Sequence, residues 1–334
     1  MVENNEIEMV YSTDDEAEQE IRNKQAGGHG DLQYLGADRE IVQKPAGDHN
    51  TENEFYQRVR DGQYPAMQGV VPKTYTADEV RNLLKDDLDD TQKAALDDKK
   101  FVYMENIANL QQKKVLDMKI GPQTTSYVDN TKQQGKTTGE AVLKSIKLKF
   151  VDVLTDSAKR NWRVVAGDDA AKSRIKSGRN SEEILSKFSD DPEVWKQMVA
   201  KMKDIRDAVK TTDIGLVASS VFTVKGTANG NSVVDAKLID FAHVIDANKP
   251  FEVTKPGADM TGARDKFREN FVKGMDSLIK TSEKIQQEKE TAAAANLTPV
   301  GIQNLQNNPG PSQSTSNTVP ALVSANNQNK PLSQ

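Results

Sequence analysis

Cysteine is absent from the 334-residue sequence, and histidine occurs only three times, at His29, His49 and His243. The lack of cysteine excludes disulfides, cysteine nucleophiles and thiolate metal sites. Because the histidines are scattered, the sequence does not predict a zinc site. Any catalysis by this chain must therefore proceed without thiol chemistry.

Long apolar runs are also missing, and hydrophobic residues make up only 36% of the chain. No segment approaches the eighteen apolar residues of a membrane-spanning helix, and the acidic N-terminus does not resemble a secretory signal peptide. We therefore expect a soluble, cytoplasmic protein whose membrane contacts, if any, are peripheral. The net charge of -5 argues against a general nucleic-acid binder, although a local basic patch remains compatible with it.

The two ends of the chain have compositions typical of disorder. Residues 1–23 are rich in Glu and Asp, and residues 289–334 are dominated by Ala, Asn, Gln, Ser and Pro. We expect the ordered part to cover residues 24–288. A weaker alternative is that the C-terminal tail is a delivery signal for a protein that acts in another cell.

Strand and helix patterns alternate irregularly within the ordered part. DLQYLG and EIVQKP predict a hairpin, FVYMENI and KKVLDMKIG predict strands, and LVASSVFTV and VVDAKLIDFAHV predict an antiparallel pair. HNTENEFYQRV predicts a helix, and the Thr76–Glu79 spacing predicts a capping box. The clearest helix has Asp191 as its N-cap, and a last helix carries an apolar stripe from Phe267 to Ile279. This order predicts the α+β class.

Three short segments place polar groups at the ends of β-rich runs. Lys44 follows an apolar strand, and Glu54 lies ten residues later in a predicted helix. Protein kinases hold ATP phosphates with such a strand lysine and helix glutamate. The alternative is an ordinary surface lysine.

Asp117 and Lys119 belong to VLDMKIG, and on a strand they project to the same face. A carboxylate there can orient a hydroxyl while the lysine faces phosphate charge; the alternative is a solvated ion pair. Asp240 follows an apolar run and precedes Phe241. Magnesium prefers such an oxygen ligand, and a cap or turn role is the alternative.

Together these segments resemble the inositol polyphosphate kinase family. Its Pro-x-x-x-Asp-x-Lys-x-Gly pattern matches at Asp117, Lys119 and Gly121, but Lys113 replaces the proline. IDFAH matches in full at residues 239–243. A Gly-His opening, a Glu-x-x-Phe-Tyr helix, VVPKTY, ASSVF and NFVKGMDSLIK are further similarities, in the family order.

The resemblance implies a kinase-like two-lobed fold, related to protein kinases and ATP-grasp enzymes, with a helical substrate-binding insert. The N-lobe would span residues 24–108 and the C-lobe residues 109–288. The expected cofactors are ATP and Mg²⁺, and the expected partner is a small-molecule inositol polyphosphate. A monomer is compatible with the sequence.

The resemblance also assigns roles to individual residues. Asp117, Lys119 and Asp240 would be catalytic, and Asp240 would also bind the metal. The nucleotide would contact Lys44, Glu54, the hinge residues Met104, Glu105 and Asn106, and Ser219 or Ser220.

Basic residues are concentrated after Gly121, where the family carries its substrate-binding insert. Lysine and arginine suit a dense phosphate anion, although each residue alone could be a solvated surface charge. Lys144, Lys147 and Lys149 could also attract an anionic membrane surface. The predicted substrate contacts are Lys132, Lys136, Lys144, Lys147, Arg160 and Arg163. The rival hypothesis is a kinase-fold protein without turnover that acts as an inositol-phosphate sensor or scaffold.

Overall fold

The fold is taken from a computed structural model that describes residues 32–46, 51–96, 101–121, 160–176, 179–248 and 260–297. The predicted disordered N-terminus and most of the basic insert lie outside these residues. Internal contacts divide the chain into two units, Met1–Ala292 and Ala293–Gln334. Apart from the last residues of the C-terminal helix, every feature described below belongs to the first unit. Among the described helices, none combines the length and apolar character that crossing a bilayer requires.

The first sheet is antiparallel and has the strand order β1-β2-β4-β3. It contains the predicted hairpin, in which Tyr34 pairs with Val42. Its strands are β1 Gln33–Leu35, β2 Ile41–Pro45, β3 Thr74–Tyr75 and β4 Phe101–Glu105. The helices in this part of the chain are α1 Thr51–Arg60, α2 Ala77–Leu83 and α3 Asp90–Ala95, with a 3-10 turn at Pro65–Met67. Thr76 and Glu79 form the predicted capping box of α2, with both reciprocal hydrogen bonds present.

The second sheet has the order β6-β5-β8-β9 and is also antiparallel. Its strands are β5 Gln111–Ile120, β6 Trp162–Gly167, β8 Ser220–Ala228 and β9 Asn231–Ile239. A turn through Asn229 and Gly230, both at positive φ, joins β8 to β9 as the Asn-Gly sequence requires. A separate two-stranded sheet pairs β7 Ile214–Leu216 with β10 Val244–Asp246.

The predicted strand pair after residue 214 is interrupted on both sides. We expected LVASSVFTV and VVDAKLIDFAHV to be continuous strands, but β7 and β8 are separated around Ala218, and β9 and β10 around Asp240. Both residues have left-handed φ values, 58° and 67°. A left-handed residue cannot continue an extended strand, so the chain turns at each point.

The helices of the second half are α4 Asp169–Lys176, α5 Ser181–Ser186, α6 Pro192–Thr211 and α7 Met260–Leu297. Helix α6 begins as predicted, with Asp191 accepting a hydrogen bond from the Glu193 N–H. Helix α7 continues beyond residue 288, where we expected order to end. The Ala-rich segment 292–295 explains this extension, because alanine is the strongest helix former.

The second sheet separates an apolar face from a charged face. Alternate β5 residues Leu116, Met118 and Ile120 are buried in the main core, together with Trp195 and Met202 of α6. Because strand residues alternate, Asp117 and Lys119 project to the opposite face. These antiparallel sheets and packed helices confirm the α+β class, and the charged face is where the predicted site residues meet.

Candidate active site

Four charged side chains from distant parts of the chain converge beside the second sheet. The Lys44 Nζ atom of β2 lies 2.9 Å from Oε1 of Glu52 and 2.9 Å from Oδ1 of Asp240. Lys119 Nζ, from β5, donates to Oδ2 of the same aspartate at 3.2 Å. Each oxygen of the Asp240 carboxylate is thus bonded to one ammonium group.

The glutamate beside Lys44 is Glu52, not the predicted Glu54. Glu54 instead forms an ion pair with Arg58. Helix geometry explains the correction, because Glu52 shares one face of α1 with buried Phe55 and Tyr56, three and four residues later. The sequence contained this signal: the Glu-x-x-Phe-Tyr pattern begins at Glu52.

Backbone geometry presents Asp240 to the cluster. Asp240 follows the last residue of β9 and has a φ of 67°, which is uncommon for a residue with a side chain. The Ser219 hydroxyl donates to the Asp240 carbonyl at 2.9 Å, and Lys119 Nζ donates to the Ala218 carbonyl at 2.8 Å. The left-handed residues Ala218 and Asp240 therefore lie beside each other at the site, where strained backbone is commonly found.

The ion pairs shift the protonation of the cluster. Burial disfavours charge on Asp240, but Lys44 and Lys119 outweigh it and lower the pKa of this carboxyl. Burial likewise opposes the charge on Lys44, yet Glu52 and Asp240 raise its pKa. For Glu52 burial dominates and raises the pKa in spite of Lys44. The Asp240 carboxylate and the Lys44 ammonium are consequently charged at neutral pH.

Asp117 is a second buried carboxylate on the same sheet face. Asp117 is only 7% exposed, and its Oδ1 has no hydrogen-bond partner among the described residues. Burial, reinforced by the negative charge of Asp240 and opposed by Lys119, raises its pKa to about 6. Ser220, which is fully buried, pairs with Lys119 from the neighbouring strand β8. Asp117 Oδ1 is therefore a buried acceptor to which no described residue donates.

The predicted hinge residues Met104, Glu105 and Asn106 lie at the end of β4, between β2 and β3. The Glu105 N–H donates to the Lys73 carbonyl at 2.8 Å, and the Asn106 N–H donates to the Glu40 carbonyl at 2.8 Å. Both amides are thus already used within the sheet. The Lys73 N–H donates to the side-chain Oε1 of Glu105 at 2.9 Å and not to the Glu105 carbonyl.

The predicted substrate cations are only partly described. Lys132, Lys136, Lys144 and Lys147 lie outside the described residues. Arg163 pairs with Lys119 across β5 and β6, so its side chain shares the charged face. Arg160 forms an ion pair with Glu182 at 3.0 Å.

Lys237 is a further cation of the charged face, and it is not among the predicted site residues. Register places it in one row with Asp117 and Phe222. Its Nζ donates to the Gly69 carbonyl at 2.7 Å and lies 3.9 Å from the Glu105 carboxylate. Strand alternation could have indicated Lys237, since the pairings of β9 with β8 and of β8 with β5 place it in the same row as Asp117, with Phe222 between them.

Asp240 is the described residue best suited to a divalent cation. Across the described ranges, no three His, Asp or Glu side chains gather into a metal-binding group. A magnesium ion held with a nucleotide needs only one or two protein carboxylates, because phosphates and water supply its other ligands. Asp240, with a side chain 33% exposed, fits that requirement.

Comparison with known proteins gives one family and a structural likeness. The family model described as "Inositol polyphosphate kinase" matches residues 101–283, just over half of the chain. No curated protein sequence gives a significant match. Among solved structures, the chain is similar to a crystal structure of the inositol phosphate multikinase Ipk2 from S. cerevisiae in complex with ADP and Mn²⁺. The two sequences are 14% identical. The match covers 73% of this chain and 98% of that chain with a TM-score of 0.46.

Proposed function

The chain belongs to the inositol polyphosphate kinase family, and we propose that it transfers the γ-phosphoryl group of ATP to a hydroxyl of an inositol polyphosphate. Mg²⁺ is the proposed metal. The observation that carries this proposal beyond family membership is the convergence of Lys44, Glu52, Lys119 and Asp240 at bonding distance.

Lys44 and Lys119 supply the positive charge that phosphoryl transfer needs. Both ammonium groups now bond to Asp240, so they lie on either side of one carboxylate. We propose that they turn to phosphate oxygens when nucleotide binds, with Glu52 keeping Lys44 in place. Positioning and electrostatic stabilisation of the transferred group account for most of the catalysis in such reactions.

Asp240 becomes the metal ligand in this proposal. Its low pKa keeps it ionised, and its strained backbone aims the carboxylate at the two lysines. When bound, Mg²⁺ would neutralise phosphate charge as a Lewis acid. Release of the lysines to the phosphates would free both carboxylate oxygens.

Asp117 is proposed to orient a ligand hydroxyl. Its Oδ1, to which none of the described residues donates, can accept a hydrogen bond from the reacting hydroxyl or from a ribose hydroxyl. A hydroxyl donates best to an ionised carboxylate, so Asp117 would be functional above the pKa of about 6.

Adenine recognition at the hinge must use groups that the sheet leaves available. Since the Glu105 and Asn106 amides already donate within the sheet, we propose the Glu105 carbonyl as an acceptor for the adenine amino group. Met104 would contribute packing rather than a backbone donor. Ser219 supports the site through the Asp240 carbonyl, and the proposed contact of Ser220 with the nucleotide rests on its place beside Lys119.

The phosphates of the acceptor are proposed to bind Arg163 at the edge of the charged face. Arg163 lies across from Lys119, so it can hold a substrate phosphate next to the transferred group. Arg160 would have to exchange its ion pair with Glu182 for a substrate phosphate. The four predicted lysines outside the described residues remain predicted contacts of the same substrate.

The test is incubation of the purified full-length chain with radiolabelled ATP, Mg²⁺ and a panel of inositol phosphates. Transfer to at least one panel member is expected, and Asp240→Asn should abolish it. Glu52→Gln should lower kcat/KM for ATP by about 10-fold or more, because Lys44 would lose a buried partner.

Glu54→Gln is the matched control in this experiment, because it makes the same change two residues away on the other side of α1. It should keep most of the activity, because the partly exposed Glu54 does not reach Lys44 and its partner Arg58 keeps Tyr64 and Asp246. Binding of inositol phosphates without transfer to any of them would contradict the kinase proposal and support a sensor. Equal losses in the two glutamate variants would contradict the role of Glu52.

A further inference from the structure

Helix α1, which carries Glu52 in its first turn, is fastened at its other end by a buried charged cluster. We define the Arg58 cluster as Arg58, Tyr64 and Asp246. We propose that Arg58 is a positioning residue for phosphoryl transfer, because it anchors α1 to β10 and thereby fixes Glu52 and Lys44 relative to Asp240. This inference rests on the proposed function.

The contacts of the Arg58 cluster connect two distant parts of the chain. Arg58 Nη1 lies 3.1 Å from the Tyr64 hydroxyl and 3.3 Å from Asp246 Oδ2. The Tyr64 hydroxyl donates to the same Oδ2 atom at 2.5 Å. Asp246 ends β10, and its Oδ1 accepts from the Asn248 N–H of the following loop at 2.9 Å, which fixes the carboxylate.

Burial makes this connection specific. Only 4% of the Arg58 side chain and 7% of the Asp246 side chain are exposed. Leaving a buried charge without its partner strongly destabilises a fold, so the Arg58 guanidinium must stay beside the Asp246 carboxylate. Burial and the Asp246 charge raise the pKa of Tyr64, and its hydroxyl therefore remains a donor to Asp246.

An aromatic layer connects the cluster to the catalytic aspartate. The Phe55 ring stacks on Phe241 with centroids 3.9 Å apart, and it stacks on Tyr64 at 5.6 Å. Phe241 directly follows Asp240, and two residues separate it from the start of β10. The segment from Asp240 to Asp246 thus contacts α1 through Phe241 and again through Asp246.

A small tilt of α1 at the Arg58 end would displace Glu52 at the other end of the helix. Glu52 and Arg58 are six residues apart, or about 9 Å along a helix axis. A tilt of about 6° would move one end by about 1 Å relative to the other. A misplacement of this size can cost about 100-fold in rate, which is why the far end of α1 matters for Lys44.

The test must separate positioning from simple stabilisation. Arg58→Met alone would leave the buried Asp246 carboxylate without the Arg58 guanidinium, so the informative variant is the double change Arg58→Met/Asp246→Leu. Replacement of a buried ion pair by apolar groups is often neutral for stability. We expect a Tm within a few degrees of wild type, a 10- to 100-fold lower kcat/KM for ATP, and weaker ADP binding in calorimetry with Mg²⁺.

The matched control is Arg206→Met/Asp276→Leu, which removes an ion pair of 3.2 Å between α6 and α7. It should leave both kcat/KM and ADP affinity within about twofold, because neither residue contacts α1 or the charged cluster. Normal activity and ADP affinity in the folded Arg58→Met/Asp246→Leu variant would overturn the proposal.

A milder variant covers the case in which the double variant does not fold. Tyr64→Phe removes only the hydroxyl and keeps the ring that stacks on Phe55, and we expect it to lower kcat/KM by about 3- to 10-fold, with a Tm lowered by only a few degrees because the Arg58–Asp246 ion pair is kept. Unchanged kcat/KM in this variant would overturn the proposal as well.

The ADP measurement distinguishes this inference from the proposed function. If wild type binds ADP but transfers phosphate to no inositol phosphate, the proposed function fails. Equal ADP affinity of wild type and the double variant would then still overturn the positioning role of Arg58, and weaker binding by the variant would support it.

Discussion

At the residue scale, Asp117 shows how a site can cost stability. The folded chain buries this carboxylate near Asp240, and its pKa rises from the ordinary 3.8 to about 6. Between these two values the folded state binds more protons than the unfolded state. The free energy of unfolding contributed by Asp117 therefore decreases as pH rises through this window, and the loss is complete above about pH 6.

Asp117→Asn removes that charge, so the variant should gain stability relative to wild type as pH rises. We expect the difference in unfolding free energy to grow by about 1 kcal/mol between pH 5 and pH 7.5 in protein free of metal and nucleotide. Urea denaturation at both pH values measures it. A difference independent of pH would show that burial of Asp117 does not raise its pKa.

The identity of the glutamate beside Lys44 was decided by a periodicity that the sequence already contained. Glu52, Phe55 and Tyr56 occupy one face of α1, while Glu54 lies on another and meets Arg58. The distance in sequence from Lys44 does not distinguish Glu52 from Glu54, because both follow it within ten residues. Placing the apolar face of the helix against the core selects Glu52, and that step requires no homologous structure.

At the scale of elements, helix α7 supports the end of β5 through a glycine. A Cβ atom at Gly274 would lie 2.5 Å from the Asn161 carbonyl oxygen and 2.8 Å from Cγ2 of Ile120. The backbone oxygen cannot move away without disturbing the chain at Gly121, whose N–H it accepts at 2.7 Å. Gly274 therefore sets how closely α7 approaches the strand that carries Asp117 and Lys119.

Gly274→Ala should destabilise the fold by about 1–3 kcal/mol, the usual cost of overpacking. Helix propensity alone predicts the opposite sign, since alanine is favoured over glycine by about 1 kcal/mol. Gly262→Ala, at an exposed position of the same helix, is the control and should be neutral or stabilising. Thermal unfolding of both variants measures the effect, and a stabilising Gly274→Ala would refute the close approach.

Elements with local signals were predictable, whereas the breaks at the site were not. Asp191 and the stripe along α6 define that helix through capping and periodicity. Nothing in the local sequence marks Ala218 as left-handed, and aspartate adopts that conformation more often than most residues but only occasionally, so Asp240 is not marked either. Their conformation depends on tertiary contacts, such as the Ser219 hydroxyl that bonds the Asp240 carbonyl.

At the scale of the whole molecule, the site depends on contacts that no local pattern encodes. Lys44 and Asp240 are 196 residues apart in sequence, and Lys119 and Asp240 are 121 residues apart. Composition and periodicity predicted the elements that carry these residues. Their convergence was predicted only through the resemblance to a family, and Arg58 and Lys237 were not selected because no motif contains them.

The charges of the assembled site predict how the whole molecule responds to metal and nucleotide. Lys44 and Lys119 occupy both oxygens of Asp240, so a cation arriving alone must displace two ammonium groups. Nucleotide phosphates offer those lysines new partners and leave the carboxylate to the metal. We therefore expect Mg²⁺ and ADP to bind cooperatively.

In thermal unfolding, Mg²⁺ alone should change Tm little, and ADP with Mg²⁺ should raise it more than ADP with EDTA. Ligand at about 100 times its Kd stabilises the folded state by about 2.7 kcal/mol, which corresponds to several degrees in a chain of this size. Asp240→Asn should lose the part of the shift that requires Mg²⁺ and keep the part due to ADP alone. If Mg²⁺ alone shifted Tm as much as Mg²⁺ with ADP, the metal would bind independently of the nucleotide and the exchange of partners at Asp240 would be refuted.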